Sequence, residues 1–317
     1  MGWMTNKNLP LIFFGIFFWL LTEQAVLSES SPFNGFTDIV RYRDRYIAVG
    51  TDGRIDCISG SGKSVTIDSS GHIKLNCAFS NDEILIITGN HGTLLYSSDG
   101  KDFCHAQSGT KENINCVTSG HGLILAGADR GIILISKDGI SWNQNQTNAK
   151  GHILSLTAGR SFFMGITDAG EIIKSFDGIH WKINDYNQDY AGYNRPSLFK
   201  KILSAQNRIV IIGTHDDGSP SILFSSLGNV WAERTPVFHD EQGLMDVLKE
   251  APNDITYDSG RDQFILACDH GELFSLPNCE KCNEMMKIAE YDLKAIFHAG
   301  DGLLIAGDEY TVFFQRL

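Results

Sequence analysis

Six aspartates of this 317-residue chain recur in one kind of place. Asp52, Asp129, Asp168, Asp216, Asp269 and Asp308 each follow a short apolar run and sit in a turn rich in Asp, Asn or Gly. Arg54, Arg130 and His270 share these turns, and His91 stands where His270 does. Carboxylates gathered on one rim offer a seat for a cation or a basic partner. Asp is also simply good turn chemistry, because its side chain bonds nearby backbone amides. A second grouping is Tyr186, Tyr190, Tyr193 and Arg195 in "NDYNQDYAGYNRPSLFK", 184–200, with Arg234 opening the next long connection at 232–254. Tyrosines present an apolar face and a polar tip, as sugar-binding and protein-binding surfaces do.

No motif that carries catalysis by itself accompanies them. The chain has no Ser-His-Asp elbow, phosphate loop or His-x-x-x-His pair, so no catalytic residue is assigned. "GSGKS", 60–64, lacks the first glycine of a phosphate loop and reads as a turn. Cys279 and Cys282 in "CEKC" would need a second pair to make a zinc site, and none follows, so no metal and no cofactor is expected. Seven cysteines are an odd number, which leaves at least one thiol unpaired within the chain. The net charge of −12 repels a phosphate backbone and argues against nucleic acid as a partner.

The elements that must position these groups repeat. "YIAVGTDGRI" (46–55), "LIITGNHGTL" (85–94), "LILAGADRGI" (123–132), "FFMGITDAGEI" (162–172), "IVIIGTHDDG" (209–218), "FILACDHGEL" (264–273) and "LLIAGDEYTV" (303–312) are seven hairpin signatures. One strand precedes each hairpin and one follows it, giving units of strands a, b, c and d about 41 residues long, the β-propeller period. The reading is an all-β, seven-bladed β-propeller of four-stranded antiparallel blades spanning residues 31–317 as one domain. The last unit has room for three strands, so the segment 31–36 is expected to supply its fourth. In such blades the b–c turns and d–a connections share one face. The aspartate rim and both long connections therefore belong together, and the a–b and c–d turns lie opposite. "GLMDVLKEA", 243–251, has the apolar spacing of a short amphipathic helix.

Residues 1–30 read differently. Lys7, the apolar run 9–21 and the small residues after it form a secretory signal pattern, with cleavage expected near Ser28. The run is short for a membrane span, so a membrane tie exists only if this segment stays uncleaved. The mature chain is expected to be secreted or periplasmic and a monomer. "NQT", 145–147, is a sequon that matters only in a glycosylating host.

A phrase recurs in the c–d turns every 39 residues: "SSDGKDFC" from Ser97, "SKDGISWN" from Ser136 and "SFDGIHWK" from Ser175. Ser97 and Asp99, then Ser136, Asp138, Gly139 and Trp142, then Ser175, Asp177, Gly178 and Trp181 read as turn braces with a covering tryptophan. Trp231 fills the same place in a weaker copy. The phrase resembles the Asp-box, or BNR-type, repeat of sialidases and related propellers, one residue shorter than the usual form. The cadence is also similar to propellers of the photosystem II assembly-factor type. That resemblance implies that the boxes are structural and lie away from the ligand face. It also implies a binding or assembly scaffold more than an enzyme, with a protein or a glycan as partner. The competing reading is a diverged glycoside hydrolase of sialidase type. Such an enzyme requires three arginines around a carboxylate, a Tyr–Glu nucleophile pair and an Asp acid, which this chain does not spell out.

Overall fold

The computed structural model describes residues 34–59, 63–68, 71–81, 83–189, 197–234, 237–239, 245–277 and 282–317. The segment 1–30, Tyr190, Tyr193, Arg195 and Cys279 lie outside the described residues.

Seven antiparallel blade sheets follow one another along the chain, each starting at the centre of a ring with strand a, and six of them ending at its periphery with a described strand d. Blade 3 shows why. Its b strand, Leu123–Ala128, and c strand, Ile132–Ser136, are almost wholly buried, while the d strand Asn143–Gln146 is polar and mostly exposed. Each buried Ile or Leu contributes about 1.5–3 kcal/mol relative to exposure, so the middle strands carry the fold and the outer one shields it. The core is not central. It is divided among seven apolar clusters, one at each junction between neighbouring blades. The seventh closes the ring by packing Phe36, Ile39 and Ala48 of blade 1 on Ala295, Leu304 and Ala306 of blade 7.

Blade 7 shows three strands among the described residues. Residues 31–33 of the segment expected to complete it are outside them. Of the rest, Gly35 bridges Asp308, and Phe36 opens the innermost strand of blade 1, Phe36–Tyr42. The two blades are also joined by Glu309 N–H to the Asn34 carbonyl at 2.7 Å and by the Tyr310 hydroxyl to the Thr51 carbonyl at 2.8 Å.

One expected helix is a strand. Met245–Val247 pairs antiparallel with Val237–His239, and the Cys282 N–H bonds the Val237 carbonyl at 3.0 Å, fastening the hairpin to blade 6. A nine-residue helix is marginal alone, whereas this hairpin gains ladder bonds and buries Leu248. No helix among the described residues is long and apolar enough to cross a membrane. The six described cysteines form no disulfide.

Candidate functional site

The repeated phrase builds the same turn three times. The Ser136 Oγ accepts the Gly139 N–H at 2.8 Å and donates to Asp138 Oδ1, which in turn accepts the amides of Ile140 and Ser141 at 2.9 and 2.8 Å. The Trp142 Nε1–H closes the turn on the Gly139 carbonyl. Ser175, Asp177, Gly178 and Trp181 repeat the pattern, and Ser97, Asp99 and Gly100 do so without the tryptophan. The serine Oγ and the aspartate Oδ1 of each phrase are engaged in bracing.

The amides of Ser141 and Ile140 pull the Asp138 carboxyl down to about 2, and Asp99 is likewise lowered. A carboxyl depressed in the folded state stabilises it above the unfolded pKa, about 3.9, and loses that contribution as pH falls through the folded value. Urea midpoints are therefore expected to fall between about pH 4 and pH 2, less steeply in Asp99→Asn/Asp138→Asn. Equal slopes in the two proteins would exclude these turns as the cause.

The aspartate rim is largely occupied by its own scaffold. Asp129 accepts Asn113 Nδ2 at 2.8 Å and Asn115 Nδ2 at 2.9 Å. Asp269 accepts Asn253 Nδ2 at 2.7 Å, and Asp168 accepts the His152 N–H at 2.7 Å. Asp308 is half-buried, and burial raises its carboxyl. Asp52 and Asp216 stay exposed. The arginines do not converge. Arg54 forks onto Asp56 with both bonds at 2.9 Å and lies 4.2 Å over the Tyr310 ring. Arg130 reaches Glu112, and Arg234 is exposed. His270 holds Glu250 at 2.6 Å, which raises its imidazole. Tyr186 is not a surface group: in the helix Tyr186–Asp189 it is 1% exposed and packs against Phe199 between blades 4 and 5.

A second convergence was not legible as a site. Each innermost strand carries a bulge after its first residues, and the residue beyond the bulge is Asp38, Cys77, Cys116, Ser155, Lys201, Asp254 or Ala295 in blades 1 to 7. All but Ala295 line a central cavity of about 420 Å³. Their polar atoms are struts between blades that share no backbone ladder. Asp38 Oδ2 accepts the Ala78 N–H at 3.0 Å, Ser155 Oγ accepts the Ile202 N–H at 3.2 Å, and Asp254 Oδ2 accepts the Ile296 N–H at 2.9 Å. The Lys201 Nζ lies 3.5 Å from Asp254 Oδ1, and Asp254 with Asp38 holds its proton more tightly than usual. Cys116 is pushed up to about 12 by burial. No arginine lines this cavity among the described residues, so the three-arginine grip of the hydrolase reading is not assembled here.

A cavity of about 740 Å³ lies at the junction of blades 4 and 5 on the a–b/c–d face. Phe162, Lys174, Phe176, Leu227 and Asn229 line it. The sequence signal for it was a defect in the repeat: "SSLGNVW", 225–231, has Leu227 in place of the bracing aspartate.

Fold and surfaces together define a seven-bladed β-propeller with braced turns and a charged central channel. Among solved structures it is similar to "YCF48 bound to D1 peptide", at 14% identity over 90% of this chain and 94% of that one, with a TM-score of 0.66. It is also similar to YCF48 from Cyanidioschyzon merolae, at 13% identity over 90% and 96% of the two chains, TM-score 0.65. A third is the WD40 propeller domain of Doa1, at 12% identity over 89% and 92%, TM-score 0.65. Likeness at these identities is likeness of fold. No protein-family model and no curated protein sequence matches the chain.

Proposed function

We propose that this protein is an exported, non-enzymatic scaffold that binds another protein through its b–c turns and d–a connections. The observation that carries the reading is the placement of additional structure on a regular ring. The helix Tyr186–Asp189 and the hairpin of Val237–His239 with Met245–Val247 belong to the d–a connections before and after blade 5, and the hairpin is tied through Cys282 to the c–d end of blade 6. Long connections on a rigid frame are where binding concentrates. A protein partner is favoured over a glycan because Tyr186, the described member of the tyrosine group, is buried and offers no platform to a sugar ring. The structural neighbour bound to a D1 peptide is in keeping with that choice. The turns at Ser97, Ser136 and Ser175 support kinship with Asp-box propellers, in which such turns are braces. The apolar run at 9–21 supports export and cleavage near Ser28.

The test is cross-linking in the native compartment followed by mass spectrometry, with the full chain and with a variant whose residues 237–247 are replaced by a short Gly-Ser link. The expected result is a protein cross-linked from the b–c face and lost in the variant. A partner retained at full yield overturns the assignment of the face. The N-terminal mass of the exported chain reads cleavage directly.

A further inference from the structure

The junction of blades 4 and 5 departs from its neighbours at two positions that face each other, one in each blade. In blades 2 and 3 the residue before the bracing serine, Tyr96 or Ile135, packs in the cluster that holds the next blade's Trp142 or Trp181. In blade 4 this position is Lys174, and opposite it the bracing aspartate is replaced by Leu227. Lys174 Nζ donates to the Leu227 carbonyl at 2.6 Å and to Asn229 Oδ1 at 3.0 Å, and lies 4.8 Å over the Phe162 ring. The junction is thereby propped open. The 740 Å³ cavity continues into two smaller ones, of about 460 and 380 Å³, and Asn229 lines all three.

Three features of this groove point to a ligand. Its mouth is apolar: Phe176 is 72% and Leu227 66% exposed, and Val230, which follows the lining residue Asn229, is 75% exposed. Apolar side chains clustered this way mark interaction sites. Its charge runs against that of the chain. The two cavities that share Lys174 and Phe176 are lined by Arg160, Lys174 and Lys182, with His180 bonded to Asp177, and by no acid among the described residues, in a protein of net charge −12. The acid in the third, Asp189, stands at the far end with Tyr186. Finally, Trp231 is 5% exposed, lines the third cavity, and its Nε1–H has no hydrogen-bond partner, whereas Trp142 and Trp181 both have theirs. An orphaned donor buried beside an open groove is an acceptor's place.

We propose that the groove between blades 4 and 5 is a docking site for an extended peptide segment carrying acidic side chains interleaved with bulky apolar ones. Its carboxylates meet Lys174, Arg160 and Lys182, its apolar side chains cover Phe176 and Leu227, and a main-chain carbonyl takes the Trp231 indole N–H. This site goes beyond the proposed function, which places a partner on the opposite face of the ring.

The test uses two labelled dodecapeptides, alternating Glu–Leu and alternating Lys–Leu, titrated into the whole chain by fluorescence anisotropy. The expected result is saturable binding of the acidic peptide alone, weakened by added salt. Lys174→Glu is expected to weaken it roughly tenfold or more, since it replaces attraction by repulsion. Phe176→Ser, at a side chain standing in solvent, tests the apolar half without risk to the fold and is expected to weaken binding several-fold. Trp231→Phe tests the indole donor. Equal binding of both peptides, no binding of the acidic one, or indifference to Lys174→Glu and Phe176→Ser each overturns the proposal. Replacement of residues 237–247 leaves this binding intact, so failure of the proposed function and failure of the groove give different patterns.

Discussion

Lys201→Met is expected to destabilise the ring by about 3 kcal/mol at neutral pH. Methionine keeps the length of lysine and removes the cation that faces Asp254 at 3.5 Å. Asp254 is 5% exposed while Lys201 is 34% exposed toward channel water. The variant therefore leaves a nearly buried carboxylate without its counter-ion, with Asp38 on the same ring, whereas the lost lysine itself was partly solvated. That asymmetry sets the cost at the lower end of the range for breaking a buried pair. It also gives the effect a sign in pH. Burial already holds the Asp254 carboxyl above its ordinary range against the pull of Lys201, so without Lys201 it rises further. The destabilisation is then full at neutral pH and shrinks as pH falls toward about 4. Urea midpoints of both proteins across pH 4–7 measure it. A constant offset would mean lost packing rather than lost charge. Lys201→Met/Asp254→Asn removes the unpaired charge and is expected to recover part of the loss; a double variant as unstable as the single one sinks the ion-pair account.

The ring itself was legible because each blade states its plan locally. "LILAGADRGI" and its six counterparts spell two buried strands and a turn, and the 39-residue step of the bracing serines fixes the period. The opening phrase was legible as a brace, and its serine and aspartate side chains bond within the turn. What the sequence hid depends on contacts between repeats. Asp38, Lys201 and Asp254 meet because a bulge in each inner strand turns one side chain to the axis, and a bulge has no signature in a run such as "FTDIV". Tyr186 resembled its exposed neighbours in a polar stretch, but it falls where the chain leaves blade 4 and fills the gap before Phe199. The segment 243–251 had helical spacing, yet a paired strand at 237–239 decided otherwise. The groove was visible only as an absence, a missing aspartate at Leu227, whose meaning needs Lys174 of the preceding blade.

Gly271→Ala is expected to cost about 3 kcal/mol or more, whereas Gly109→Ala costs about 1 kcal/mol or less, although both glycines have the same kind of backbone. Gly109 has φ +72° and Gly271 φ +78°, so an alanine in either pays the left-handed penalty of about 1–2 kcal/mol. Both substitutions also restrict the unfolded chain, which returns about 0.4–1 kcal/mol. These two contributions nearly cancel at Gly109, where a Cβ would meet nothing within 4 Å. At Gly271 the same Cβ would stand 2.0 Å from the Ala289 carbonyl oxygen and 2.4 Å from its carbon. Those atoms are backbone, and the Ile288 N–H beside them is bonded to the Gly271 carbonyl at 2.9 Å, so the connection into blade 7 cannot withdraw without losing that bond. The turn at 269–271 is thus held by its neighbour as tightly as by its own dihedrals, and the excess of the Gly271 variant over the Gly109 variant measures the closeness of the d–a connection. Urea midpoints at fixed m-value read both. Equal losses would mean that the connection yields freely and that the b–c rim is not braced from outside.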